Sequence, residues 1–186
     1  MATAILCCAL PAFARRGPAA APSSTLTPDS AIVEVNPISN HLRSDVAESA
    51  KNMVAAAEEM PADKYSYQPT PQQMTFAHLM VHVTMGNYFF CSKISGAARP
   101  DVKVADTDGK DKLVAELKAS YDFCTTNLAK VDDSNLGEQL PFFGGRTISR
   151  GGMMMAVSAE CADHYSIAAM YLRLNGLLPP TAKKEK

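Results

Sequence analysis

Two short stretches of this chain carry residue types that can do chemistry together. Glu160 and His164, in Glu160-Cys161-Ala162-Asp163-His164, stand at i and i+4. On a helix that spacing puts both side chains on one face, a turn apart. His78 and His82, in His78-Leu79-Met80-Val81-His82, repeat the spacing. Every histidine except His41 lies in these two stretches. Two helices packed side by side, each offering an imidazole and one adding a carboxylate, form a two-His-one-carboxylate site. Such a donor set suits Zn²⁺ with an open water position, and equally Fe²⁺ or Ni²⁺. Glu160 falls on the stripe that otherwise reads as core, where an unpaired carboxylate is costly unless a partner or metal holds it.

Plainer readings exist for each residue. His78 follows Thr75 by three positions, where a polar residue often closes a helix cap. His82 reads equally as a core histidine bonded to a backbone carbonyl, and Glu160 with His164 as a structural pair. Asp163 points off the stripe, as an outer acceptor for an imidazole N–H or as a solvated charge. His41, near the start of a helix, belongs at the surface.

The elements that would position these groups follow from hydrophobic period. A first helix is predicted from about Pro37 to Met60, with Leu42, Val46, Met53, Val54, Ala57 and Met60 on its apolar face and Pro61 as its stop. A second begins near Thr75 and passes through Leu79, Val83, Met85 and Phe89 to about Ser95, where Gly96 ends it. A third runs from about Lys110 to Lys130 on Leu113, Leu117, Tyr121, Cys124 and Leu128. The fourth starts at Ser149 or Gly152 and ends at Asn175, with Met153, Val157, Glu160/Cys161, His164, Ala168 and Tyr171 facing inward. Gly176 and Pro179-Pro180 close it. The links over 97–109 and 131–150 are long, and the second, with Phe142-Phe143-Gly144-Gly145, suits a short hairpin or irregular cover. The fold class is therefore all-α, a four-helix bundle.

Lys plus Arg is 18 and Asp plus Glu is 19 in 186 residues, a formal charge of -1. No basic stripe exists for phosphate, so nucleic acid is not an expected partner. The longest apolar run is too short to span a bilayer, and no repeat is visible.

Residues 2–14 are uncharged and end Ala12-Phe13-Ala14, the shape of a signal peptide and cleavage site. A basic n-region is missing, as if the start were truncated. Bulky Leu6 before Cys7 argues against a lipoprotein anchor. Residues 15–36, rich in Pro, Ala, Ser and Thr, read as a disordered linker. The reading is thus a signal peptide over 1–14, a linker over 15–36, a domain over 37–182 and a tail over 183–186, with a periplasmic or secreted location. Past the leader only Cys91, Cys124 and Cys161 remain. Their wide spacing suggests no disulfide framework or zinc motif, and they read as three small apolar residues on helix faces.

Three segments together resemble the DinB-like superfamily of four-helix proteins. They are Met60 to Pro71 between the first two helices, Thr75 to Val83 with Asn87 to Cys91, and Asp163 to Ile167 running on through Tyr171 to Pro180. The resemblance covers about residues 38–182. It implies a metal triad of one histidine on the second helix and an HxxxH pair on the fourth. His82 and His164 match two of these positions, and Glu160 stands where the first histidine of the pair is expected. The implied ligand set is His82, Glu160 and His164, with His78 at best a fourth donor one turn away.

The expectation is an exported protein that binds a divalent Zn, Ni or Fe ion and acts as a metal-dependent hydrolase or transferase on a small molecule. Asp163 and His78 are the candidates for a catalytic base, and Tyr88 and Tyr165 for lining the cavity. Family members that transfer low-molecular-weight thiols do so in the cytosol, so export argues against that chemistry here. The alternative is a non-catalytic small-ligand-binding or stress-associated bundle with a vestigial metal site. Pairing into a homodimer would suit a bundle of this kind, but no surface stripe identifies the face.

Overall fold

The computed structural model describes residues 33–183, so the leader read over residues 1–14 lies outside the described residues. Four helices form the body: α1 (Pro37–Glu59), α2 (Phe76–Ser95), α3 (Lys110–Leu128) and α4 (Arg150–Leu174). Between α3 and α4, strands β1 (Gln139–Pro141) and β2 (Thr147–Ser149) pair antiparallel, with Leu140 opposite Ile148.

Local chemistry sets the helix ends. Thr75 accepts from the backbone N–H of His78 at 3.0 Å, and Ser149 accepts from that of Gly152 at 3.1 Å. Each hydroxyl satisfies a donor that the first helical turn leaves free. Gly152 has no room for a side chain, because a Cβ there would meet the Ser149 hydroxyl at 2.9 Å. Gly96 closes α2 in the left-handed region at φ 76°. The start of α1 is capped from elsewhere. Asn36 makes no side-chain cap, and the Asp133 carboxylate accepts from the N–H groups of Ile38 and Ser39, both at 2.9 Å. Arg43 reciprocates by donating to the carbonyl of Leu128, the last residue of α3, and to that of Val131 just beyond it.

One core fills the bundle, with Leu42, Met53, Leu79, Leu113, Leu117, Met153 and Leu172 buried. The main packing seams run between α2 and α3 and between α1 and α4, with α1 also on α3 and α2 on α4. The segment between α1 and α2 is pinned by two tyrosines: Tyr65 donates to the Ala57 carbonyl at 2.7 Å and Tyr171 to the Met74 carbonyl at 2.9 Å.

The cysteine expectation needs correction. Cys91 of α2 and Cys124 of α3 form a disulfide, with Cα atoms 5.2 Å apart, and only Cys161 is free among the described residues. Both cysteines do lie on apolar helix faces. Those faces meet across the α2–α3 seam at one level, which spacing along the chain does not reveal.

Candidate metal centre

The seam between α2 and α4 brings His82, Glu160 and His164 together. One ligand atom from each lies within 4.8 Å of the other two. The His164 Nε2 stands 3.3 Å from the Glu160 Oε2, and the two imidazole rings meet edge to face with centroids 4.8 Å apart. A tetrahedral ion with ligand bonds of about 2.0–2.2 Å places its donors about 3.4 Å from one another. The Glu160–His164 spacing already matches, and the His82 nitrogen lies within 4.8 Å of both. Two imidazole nitrogens and one carboxylate oxygen fit a borderline divalent ion.

Glu160 differs from its expected setting. Its side chain is 48% exposed, at the rim of the seam, whereas that of His164 is 14% exposed. The apolar stripe of α4 passes through Cys161 and His164 and leaves Glu160 at its wet edge. A cost of burying the carboxylate is therefore no argument for a metal; the argument rests on convergence with an imidazole from another helix. Burial pushes the His164 pKa down, the Glu160 charge opposes this, and His82 adds to it. The result favours the neutral imidazole that binds metals.

Behind His164 and Glu160 lies a small pocket of about 30 Å³. Val83, Gly86, Phe90 and Val157 give it apolar walls. Ser49 and Tyr121 also line it and share a buried hydrogen bond of 2.8 Å. Desolvation raises the Tyr121 pKa, so this phenol stays protonated. Cys161 also borders the pocket, and burial raises its thiol pKa.

The remaining sequence candidates lie apart from the group. His78 is exposed at the start of α2, and its Nδ1 is 3.4 Å from Asp106 of the α2–α3 link. Asp163 is exposed on α4 and acts on His164 only through its charge. Tyr88 is buried against Phe123, away from the pocket. Tyr165 bonds Thr181 at 2.9 Å on the other side of α4. His41 is at the surface, 3.3 Å from Asp45. Sequence reasoning did not single out Ser49, whose only signal is a small polar residue on the buried stripe of α1.

A helical bundle with a His/Glu/His group on facing helices, and a short hairpin before the last helix, defines the class. The chain belongs to the DinB superfamily, whose sequence model matches residues 46–168. It is similar in fold to a DinB-like protein from Bacillus subtilis (TM-score 0.63, 19% identity, 78% of this chain and 100% of that one). It is also similar to a DinB-like protein from Bacillus cereus (TM-score 0.62, 14% identity, 76% and 95%). A mycothiol-dependent maleylpyruvate isomerase shares the fold at TM-score 0.56 and 13% identity, over 69% of this chain and 59% of that one. A comparison with curated proteins returned no match. No helix among the described residues is long and apolar enough to cross a membrane.

Proposed function

We propose that this DinB-superfamily protein is exported, binds a divalent Zn, Ni or Fe ion through His82, Glu160 and His164, and acts on a small molecule as a hydrolase or transferase. The observation that carries the reading is the convergence of three donors from two helices on one point. When bound, such an ion supplies Lewis acidity and lowers the pKa of a water or thiol at its open position. His82 and His164 would supply imidazole nitrogen donors, and Glu160 would offset part of the ion's charge. The apolar walls at Val83, Phe90 and Val157 shape the approach from inside the bundle. The Cys91–Cys124 disulfide supports an oxidising compartment, in keeping with a signal peptide. In that setting the thiol dependence named for the isomerase neighbour is a poor guide to this chain's substrate.

The test is elemental analysis of protein purified from the periplasmic or secreted fraction. One equivalent of metal is expected in the wild type and none in His164→Ala; a full equivalent in the variant defeats the proposal. The exposure of Glu160 and its pairing with His164 favour one alternative, a non-catalytic ligand-binding bundle. In that case chelation leaves both the melting temperature and ligand binding unchanged.

A further inference from the structure

Among the described residues Phe143 is the only exposed phenylalanine or tyrosine, with 52% of its surface open. It sits at the tip of the β1–β2 hairpin and stacks on Phe89 of α2, with centroids 4.6 Å apart and planes 16° from parallel. Phe90 meets it edge to face at 6.1 Å. The stack covers one face of the Phe143 ring, and the open surface lies on the other. The hairpin tip is built to hold it there. Gly144 and Gly145 both take left-handed φ values, 65° and 72°, that side chains rarely adopt. The Arg146 Nε then donates to the Phe143 carbonyl at 3.2 Å.

This platform continues the line of the candidate ligands. His82, Gly86 and Phe90 recur every four residues along α2, with Phe89 beside Phe90, and none of them is fully buried. Phe89 lies two turns from His82, about 10 Å along the helix. Gly86 stands between them in a helix interior, where glycine is disfavoured. Packing does not require it, because a Cβ there would meet nothing within 4 Å. On α4 the residue one turn before Glu160 is Ala156, also small and half-buried. No charged residue stands on α2 between His82 and Lys93, or on α4 between Arg150 and Glu160. The enclosed pocket that Gly86 and Phe90 share with Glu160 and His164 is about 30 Å³, roughly the room of one or two waters. The body of any larger ligand of the metal group therefore lies outside it, and the uncharged path runs over Gly86 toward Phe143.

We propose that the seam from His82 to Phe143 is a substrate groove for a neutral small molecule that carries an aromatic ring. Its reactive group reaches His82, Glu160 and His164, while its ring lies beyond Gly86 against the open face of Phe143. A ring placed there extends the Phe89–Phe143 stack, a geometry that aromatic groups favour. The proposal rests on the metal reading above and adds a substrate class to it.

The test is titration of ¹⁵N-labelled, Zn²⁺-loaded protein with 4-phenylbutyrohydroxamate, acetohydroxamate and 4-phenylbutyramide, following the Gly86 and Phe143 backbone amides. The first probe carries a metal-binding group and a ring, the second the metal-binding group alone, the third the ring alone. Both ring-bearing probes are expected to shift Phe143 saturably, and acetohydroxamate to leave it unmoved. Phe143→Ala is expected to weaken both ring-bearing probes about tenfold and to leave acetohydroxamate unchanged. Gly86→Leu, which fills the groove floor, should weaken them at least as much. It should melt no lower than wild type, since leucine suits a helix interior, so its loss of binding does not come from misfolding. If the metal reading alone fails, the phenyl hydroxamate and the phenyl amide bind alike and still shift Phe143. The groove itself is overturned if Phe143 does not shift, if the phenyl hydroxamate binds no better than acetohydroxamate to the Zn²⁺-loaded protein, or if Phe143→Ala changes nothing.

Discussion

The imidazole of His82 meets that of His164 edge to face across the α2–α4 seam, with ring centroids 4.8 Å apart. Close approach of two imidazoles from different helices is unfavourable if both are protonated and useful if one ion binds both. A ligand that binds only the folded chain stabilises it by mass action. Zn²⁺ at 100 times its dissociation constant is expected to add about 2.7 kcal/mol. The melting temperature should rise with Zn²⁺, fall back with chelator, and not respond in His82→Ala. A response of wild-type size in that variant would place the ion elsewhere.

The Cys91–Cys124 bridge closes a loop with a sequence separation of 33. Loop-closure entropy for that length predicts a stabilisation of about 3–4 kcal/mol. Urea unfolding with and without reductant checks it, and the Cys91→Ala/Cys124→Ala double variant should match the reduced protein. Non-reducing peptide mapping should recover the two cysteines in one linked fragment.

Much of this architecture is legible in the sequence because helix ends are decided locally. Thr75, Gly96, Ser149 and Gly176 mark boundaries through their own backbone chemistry, and the observed helices follow them closely. The convergence of His82 with Glu160 and His164 follows from helical period plus a family pattern. What stayed hidden depends on register between distant segments. The Cys91–Cys124 bond requires knowing which turns of α2 and α3 lie level. The Asp133 cap on α1 joins positions far apart, and nothing near Asn36 announces it. The exposure of Glu160 is a matter of a few tens of degrees around α4, finer than an apolar stripe resolves.

Asp133 makes a prediction in pH. Burial alone would raise its carboxyl, but the N–H groups of Ile38 and Ser39 outweigh it and hold the pKa below the usual carboxylate value. A carboxylate with a depressed folded pKa stabilises the fold fully above its unfolded pKa of about 3.9. That contribution disappears as pH falls through the folded value. Asp133→Asn should therefore unfold at a lower temperature than wild type at pH 7, and the difference should shrink steadily below about pH 4. A gap that stays constant down to pH 2 would assign the cap's effect to shape rather than charge.

The resemblance implies a histidine where Glu160 stands, and this difference should govern which ion the site prefers. Carboxylate oxygen is tolerated by Mn²⁺ and Fe²⁺ as well as Zn²⁺, whereas a third imidazole favours Ni²⁺ and Zn²⁺. Glu160 is at the rim with half its side chain in solvent, so Glu160→His should fold with little change in stability. It also removes the negative charge that favours protonation of His164, so proton competition at that nitrogen should weaken. Calorimetric titration is expected to show the ratio of Ni²⁺ to Mn²⁺ affinity rising by about tenfold or more, the equivalent of ~1.4 kcal/mol. Glu160→Gln, which keeps the size and loses the charge, should weaken every ion together. If Glu160→His leaves the ratio unchanged, Glu160 is not a ligand, and the two imidazoles must find their third donor in solvent.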